Sequence, residues 1–276
     1  MNNKNLVYCY QLFIILVSSV LFSGCGDLIL TLPLKLSRLQ SPEVSGKAFA
    51  SKISVNAQTV ANIRVIQDAG TIPPQQSPVE KDTSELKAGL DAGITLFPRL
   101  ELFGSTSGGI YMAGLKYQLL GETTESSRKG NFSFTLTGAY GAAKVDNSGN
   151  VFGFDANFNS TTLHWNSSND YHINDYAAIM GYRPADVILI YGGPFLSRYR
   201  IDGSFTQIYQ GTSTETETPL KNRGNLYGAN LGFSFSFPNI KKLLFTYEIL
   251  YARLDWSRMD HTEGVFGNSF SLGYSF

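Results

Sequence analysis

From Leu86 to Leu96 the chain alternates without a break. Leu86, Ala88, Leu90, Ala92, Ile94 and Leu96 take the even positions, and Lys87, Gly89, Asp91, Gly93 and Thr95 the odd ones. A period of two belongs to extended chain, whose side chains point to opposite faces in turn. The pattern recurs at Phe132, Phe134, Leu136 and Tyr140, at Tyr227 through Phe237, and at Phe245, Tyr247, Ile249 and Tyr251. The intervening positions are mostly Gly, Ser, Thr and Asn. A sheet with one face in water would favour Lys and Glu there, whereas small polar side chains suit a narrow interior.

Turn signals separate the runs, and short connections alternate with long ones. Phe97-Pro-Arg99, Arg183-Pro-Ala-Asp186 and Pro238 to Lys242 are short, while 145–170 and 202–224 are long and polar. Counting back from the end gives strands at about 265–276, 243–256, 225–237, 187–201, 173–183, 131–144, 109–120, 99–106 and 84–97. A tenth, at about 49–65, makes the number even, as an up-and-down barrel requires when both termini lie at one end. The expected fold is therefore an all-β, antiparallel transmembrane barrel of ten strands. Its apolar face meets lipid and its polar face the lumen. Eight or twelve strands are the alternatives, twelve if Val151 to Asp155 and Thr161 to Trp165 form a further hairpin within 145–170.

The last run strengthens this reading. Phe270, Leu272, Tyr274 and Phe276 alternate to a terminal phenylalanine. This resembles the C-terminal signal of bacterial outer-membrane barrel proteins, with Phe276 in the terminal aromatic place and Tyr274, Leu272 and Phe270 in the alternate places before it. The resemblance implies recognition by the barrel-assembly machinery and a periplasmic location for Phe276. It is to the class as a whole and to no particular protein.

The other end reads as an address. Lys4 precedes an apolar core from Leu12 to Phe22, too short for a spanning helix, which needs about 20 residues. Leu21-Phe-Ser-Gly-Cys25 is similar to the lipobox of bacterial lipoproteins, although Phe22 stands where leucine is usual. That likeness implies processing before Cys25 and acylation of its thiol. The expected organisation is a signal peptide over 1–24, a lipid-anchored periplasmic tether over 25–46, and the barrel over 47–276. The apolar stretch Leu28 to Leu36, interrupted by Pro33, is open to three readings: a plug, a periplasmic strand, or a segment on the membrane surface.

Composition narrows the function. The 22 basic and 22 acidic residues balance, so nothing argues for nucleic acid as a partner. Both cysteines, Cys9 and Cys25, precede the barrel, which excludes a disulfide framework or a cysteine metal site there. His164, His172 and His261 fall in or beside the long connections. Rim enzymes among membrane barrels pair His with Ser, Asp or Glu. Here Asp260 and His261 are adjacent, and adjacent strand residues point apart. In His164-Trp-Asn-Ser-Ser the serine is displaced by one from the deacylase pattern. His172 with Asp175, and Asp260, His261 and Glu263, are the nearest approaches to a metal site. The charges Lys87, Asp91, Lys116 and Glu248 fall on the lumen side, as a structural network would.

The expected role is that of a non-enzymatic outer-membrane lipoprotein barrel, structural or interacting through its long outer connections. It needs no catalytic residues, metal or cofactor. Its partners would be outer-membrane lipids and the barrel-assembly and lipoprotein-processing machinery, and its N-terminus would be periplasmic. The alternatives are a narrow pore for small solutes or ions, and a rim-located lipid- or peptide-processing enzyme.

Overall fold

Strands that face lipid cannot leave backbone N–H and C=O groups unpaired, so a sheet in a membrane must close on itself. The computed structural model describes residues 27–68, 76–154, 160–209, 215–237, 240–257 and 262–276. They form eleven strands: β1 (Asp27–Lys35), β2 (Ser51–Asp68), β3 (Gln76–Phe97), β4 (Leu100–Ser107), β5 (Ile110–Leu120), β6 (Phe132–Phe154), β7 (Ser160–Ala185), β8 (Ile188–Tyr209), β9 (Glu215–Phe237), β10 (Ile240–Trp256) and β11 (Glu263–Ser275). β2 to β11 pair in order, each antiparallel to the next, and β11 returns to β2 from Ser269↔Gln58 to Ser275↔Lys52. The barrel is closed and has ten strands.

The expected twelve-strand alternative falls away. β6 and β7 hold one register from Phe132↔Tyr182 to Phe154↔Ser160, so the segments around Val151 and Thr161 lengthen two existing strands. β8 and β9 likewise pair as far as Ile208↔Glu215, which turns most of the expected loop at 202–224 into strand. Interior side chains explain the continuation, since Trp165, Phe205 and Leu220 are buried well past the membrane band. Gly108 and Gly109, with φ of +59° and +82°, close the β4–β5 hairpin in the two-residue turn that needs left-handed backbone at both positions.

Two ends follow from the ladder. At one lie the connections 98–99, 121–131 and 186–187 together with Phe276, whose N–H donates to Ser51 O. At the other lie the extended hairpins. Between them the alternation changes phase. In β10, Phe245, Tyr247, Ile249 and Tyr251 face outward, but beyond them Arg253 and Asp255 do, while Leu250, Ala252, Leu254 and Trp256 are buried inside. β8 repeats this, with Ile190 and Leu196 outward, then Arg198, Arg200 and Asp202, against buried Tyr199, Ile201 and Phe205. The lower part is a membrane barrel with a polar lumen. The upper part has the inside-out chemistry of a barrel in water, polar without and apolar within.

β1 is not part of the wall. It runs antiparallel to the upper half of β2, from Asp27↔Asp68 to Lys35↔Val60, and so descends from the hairpin end into the barrel. The β2–β11 ladder stops at Gln58, and β1 takes over two residues later. Leu30, Leu32, Leu34 and Leu36 have no exposed surface. The segment expected to be a periplasmic tether over 25–46 is thus, over residues 27–45, a thread through the lumen. The reason is chemical matching: an apolar run, Leu28 to Leu36, meets the apolar upper lumen, and the polar run that follows meets the polar lower lumen.

Candidate functional site

The lumen is occupied from top to bottom. Near the top, Tyr171 OH donates to Pro33 O at 2.8 Å, and Tyr171 stacks on Tyr199, with 5.5 Å between ring centroids. Tyr199 in turn lies against Trp256. Pro33 lacks an N–H but keeps its carbonyl, so its one polar backbone group is satisfied here.

At mid-height two buried charges grip the thread. Glu248 of β10 accepts from Arg38 N at 2.9 Å, Leu39 N at 3.2 Å and Ser37 Oγ at 3.2 Å, and from the wall residues Asn230 Nδ2 at 2.7 Å and Tyr191 OH at 3.4 Å. Two successive N–H groups converging on one carboxylate form an anion nest. It requires a left-handed residue, and Leu39 supplies it at φ +47°. A non-glycine residue there costs about 1–3 kcal/mol, which the Glu248 contacts offset. Arg38 reaches the opposite wall, where it donates to Asp175 Oδ1 and Ser197 Oγ, each at 2.5 Å. Its guanidinium lies 3.5 Å from the centroid of the Phe195 ring.

At the base Glu43 is fully buried and accepts from Arg183 Nε at 2.8 Å and Nη2 at 2.6 Å, from Ser127 Oγ at 3.2 Å and from Asn131 Nδ2 at 3.0 Å. Val44 N donates to Gln118 Oε1, and Val44 O accepts from Thr124 N. Beside this, Lys116 Nζ lies 2.9 Å from Glu101, which also binds Lys52 at 2.6 Å. Lys35, Arg38, Lys52, Lys116 and Arg183 thus stand among Glu43, Asp91, Glu101, Asp175 and Glu248, five charges of each sign. The cavity beside Arg38 and Asp175 measures about 20 Å³, room for about one water.

Of the lumen charges read from the sequence, Asp91, Lys116 and Glu248 join this network, Asp91 accepting from Asn56 at 2.6 Å. Lys87 does not; it pairs with Glu85 on the half-exposed upper part of β3. Arg38, Glu43 and Arg183 were missed, because nothing in a tether or a turn marks a buried partner. His164 Nδ1 lies 2.5 Å from Asn150 Oδ1, and His172 Nδ1 lies 2.6 Å from Tyr140 OH. His172 and Asp175 are not brought together, for His172 faces outward and Asp175 the lumen. Asp260 and His261, like Cys25, lie outside the described residues. Phe270, Leu272, Tyr274 and Phe276 all face outward, and the first three stand opposite Ala57, Val55 and Ile53 of β2.

A closed antiparallel wall with an outward apolar band rimmed by tyrosines defines a transmembrane β-barrel of the outer-membrane type. No family model matches the chain, and no curated protein matches it. Among solved structures it is similar to the CymD monoaromatic hydrocarbon channel, at 8% identity and a TM-score of 0.26 over 84% of this chain and 90% of that one. It is also similar to OmpT, an outer membrane protein of Vibrio cholerae, at 11% identity and 0.21 over 91% and 96%. A third is Pseudomonas aeruginosa OccK2 (OpdF) in complex with glucuronate, at 9% identity and 0.18 over 83% and 99%. Likenesses this loose carry no argument, and the fold rests on the ladder itself.

Proposed function

We propose that the protein is a closed, non-enzymatic outer-membrane barrel that seals its own lumen and presents its long hairpins beyond the membrane. The observation that carries this is the double clamp on the thread: Arg38 and Glu43 each enter a buried ion pair with the wall, and a gap of about 20 Å³ is left beside the first. An open pore would need a continuous water path where these side chains stand. The role is structural, or one of surface interaction through the β6–β7 and β8–β9 hairpins.

The ends are assigned in the same reading. Phe276 marks the periplasmic rim and serves, with Phe270, Leu272 and Tyr274, as the assembly signal. β1 then begins at the outer rim, two residues after Cys25. Acylation of Cys25 would accordingly place its chains in the outer leaflet, and this replaces the periplasmic N-terminus expected from the sequence.

Planar-bilayer recording tests the seal. The full-length protein should show no steady unit conductance, and a variant lacking residues 27–45 should show it. Steady steps from the full-length protein would contradict the reading.

A further inference from the structure

The change of phase in the wall leaves a cationic belt at one level. On the outward faces of four neighbouring strands, Tyr176, Leu196, Tyr227 and Tyr251 are the last apolar residues before the polar and charged rows begin. The registers set Tyr176, Leu196 and Tyr227 side by side. The next outward row is Asn174, Arg198 and Asn225, and the row above it His172, Arg200 and Arg223. On β10 Arg253 follows Tyr251. With about 3.3 Å per residue and a strand tilt of about 40°, Arg198 stands about 5 Å beyond the tyrosine row and Arg200 and Arg223 about 10 Å. The polar layer of a bilayer occupies about 5–8 Å on each side. Arg198 therefore lies at the depth where lipid phosphates lie, and Arg200 and Arg223 stand just above it, within reach of their long side chains.

These cations are available. Arg200 is paired with Asp202 at 2.5 Å, but Arg198, Arg223 and Arg253 enter no ion pair among the described residues. Between the strands is a groove of about 350 Å³, lined by Arg198, Arg200, Arg223, Asn174, Asn225 and Asp255. Gly224 is also in its lining, and a side chain there would collide with the buried Trp256 ring. With Asp202 holding Arg200 and Asp255 in the lining, three guanidiniums face two carboxylates. The excess positive charge, with Arg198 and Arg223 outside any described ion pair, favours an anion, and the planar guanidinium fork fits phosphate oxygens in pairs.

We propose that this groove binds the phosphate of a phosphorylated glycolipid in the outer leaflet, whose acyl chains lie on the Tyr176, Leu196 and Tyr227 face. The assignment to the outer leaflet rests on the orientation adopted above. Binding itself does not depend on that orientation or on the seal, so it can fail while they stand, and they can fail while it stands.

The test uses the full-length protein in neutral detergent with a fluorescent bis-phosphorylated lipid A. The expected result is saturable binding that falls at least tenfold in Arg198→Ser/Arg223→Ser. Removing the lipid's phosphates should cause a similar loss with the unaltered protein. Arg198→Lys/Arg223→Lys keeps the charge but not the fork and should bind at an intermediate level. Heat-modifiable gel mobility confirms that each variant is folded. Equal binding by the folded serine variant would overturn the proposal. So would displacement of the lipid by millimolar inorganic phosphate, which would mark a site for free anions.

Discussion

Arg38 illustrates what a buried charge asks of its surroundings. It leaves the thread between two walls, and its guanidinium donates to Asp175 and to Ser197, itself hydrogen-bonded to Asp175. Removing one partner of such a pair typically costs about 3–5 kcal/mol, because the other charge is left buried and alone, whereas removing both is far milder. Arg38→Met should therefore lower the denaturant midpoint sharply, and Arg38→Met/Asp175→Asn should recover a substantial part of the loss. A double variant as unstable as the two single losses added together would show that the pair does not interact. Glu248 was legible in the sequence as a polar residue among outward aromatics. Its partners on the thread, Ser37, Arg38 and Leu39, were not, since they lie more than two hundred residues away.

At the scale of elements, the strands could be read from their alternation, but where the alternation turned over could not be read by looking for one apolar face. In β10 the apolar parity passes from Phe245, Tyr247, Ile249 and Tyr251 to Leu250, Ala252, Leu254 and Trp256. Reading both faces together would have located one membrane interface and would have shown that 145–170 and 202–224 carry inward apolar positions, as strands do. An environment-sensitive probe should report this boundary. Attached at Tyr251→Cys it should read as apolar, and at Arg253→Cys, on the same face, as aqueous. β1 escaped assignment because Pro33 and its shortness fit several roles, and its partner strand also completes the wall. Leu32 is completely buried, so Leu32→Ala should cost about 2–5 kcal/mol. The loss should fall on the thread: limited proteolysis should trim the N-terminal segment and leave a heat-modifiable barrel. Loss of the barrel together with the thread would contradict the division between them.

At the scale of the whole molecule, the class of fold followed from the even strand count, the terminal Phe276 and the small polar interior. What the lumen holds did not follow, because filling it depends on long-range matching between a leading segment and two differently lined halves of one channel. The central claim is that residues 27–45 pass through the barrel. Ser37 Oγ and Ser269 Oγ lie 2.6 Å apart across that passage, close enough for a disulfide after substitution. The most direct measurement is oxidation of Ser37→Cys/Ser269→Cys in membranes, in a background with Cys25 unchanged, followed by non-reducing electrophoresis. The account expects near-complete cross-linking, seen as a mobility shift that reductant abolishes. Two free thiols, with the one at position 37 open to a soluble maleimide from the periplasmic side, would contradict it.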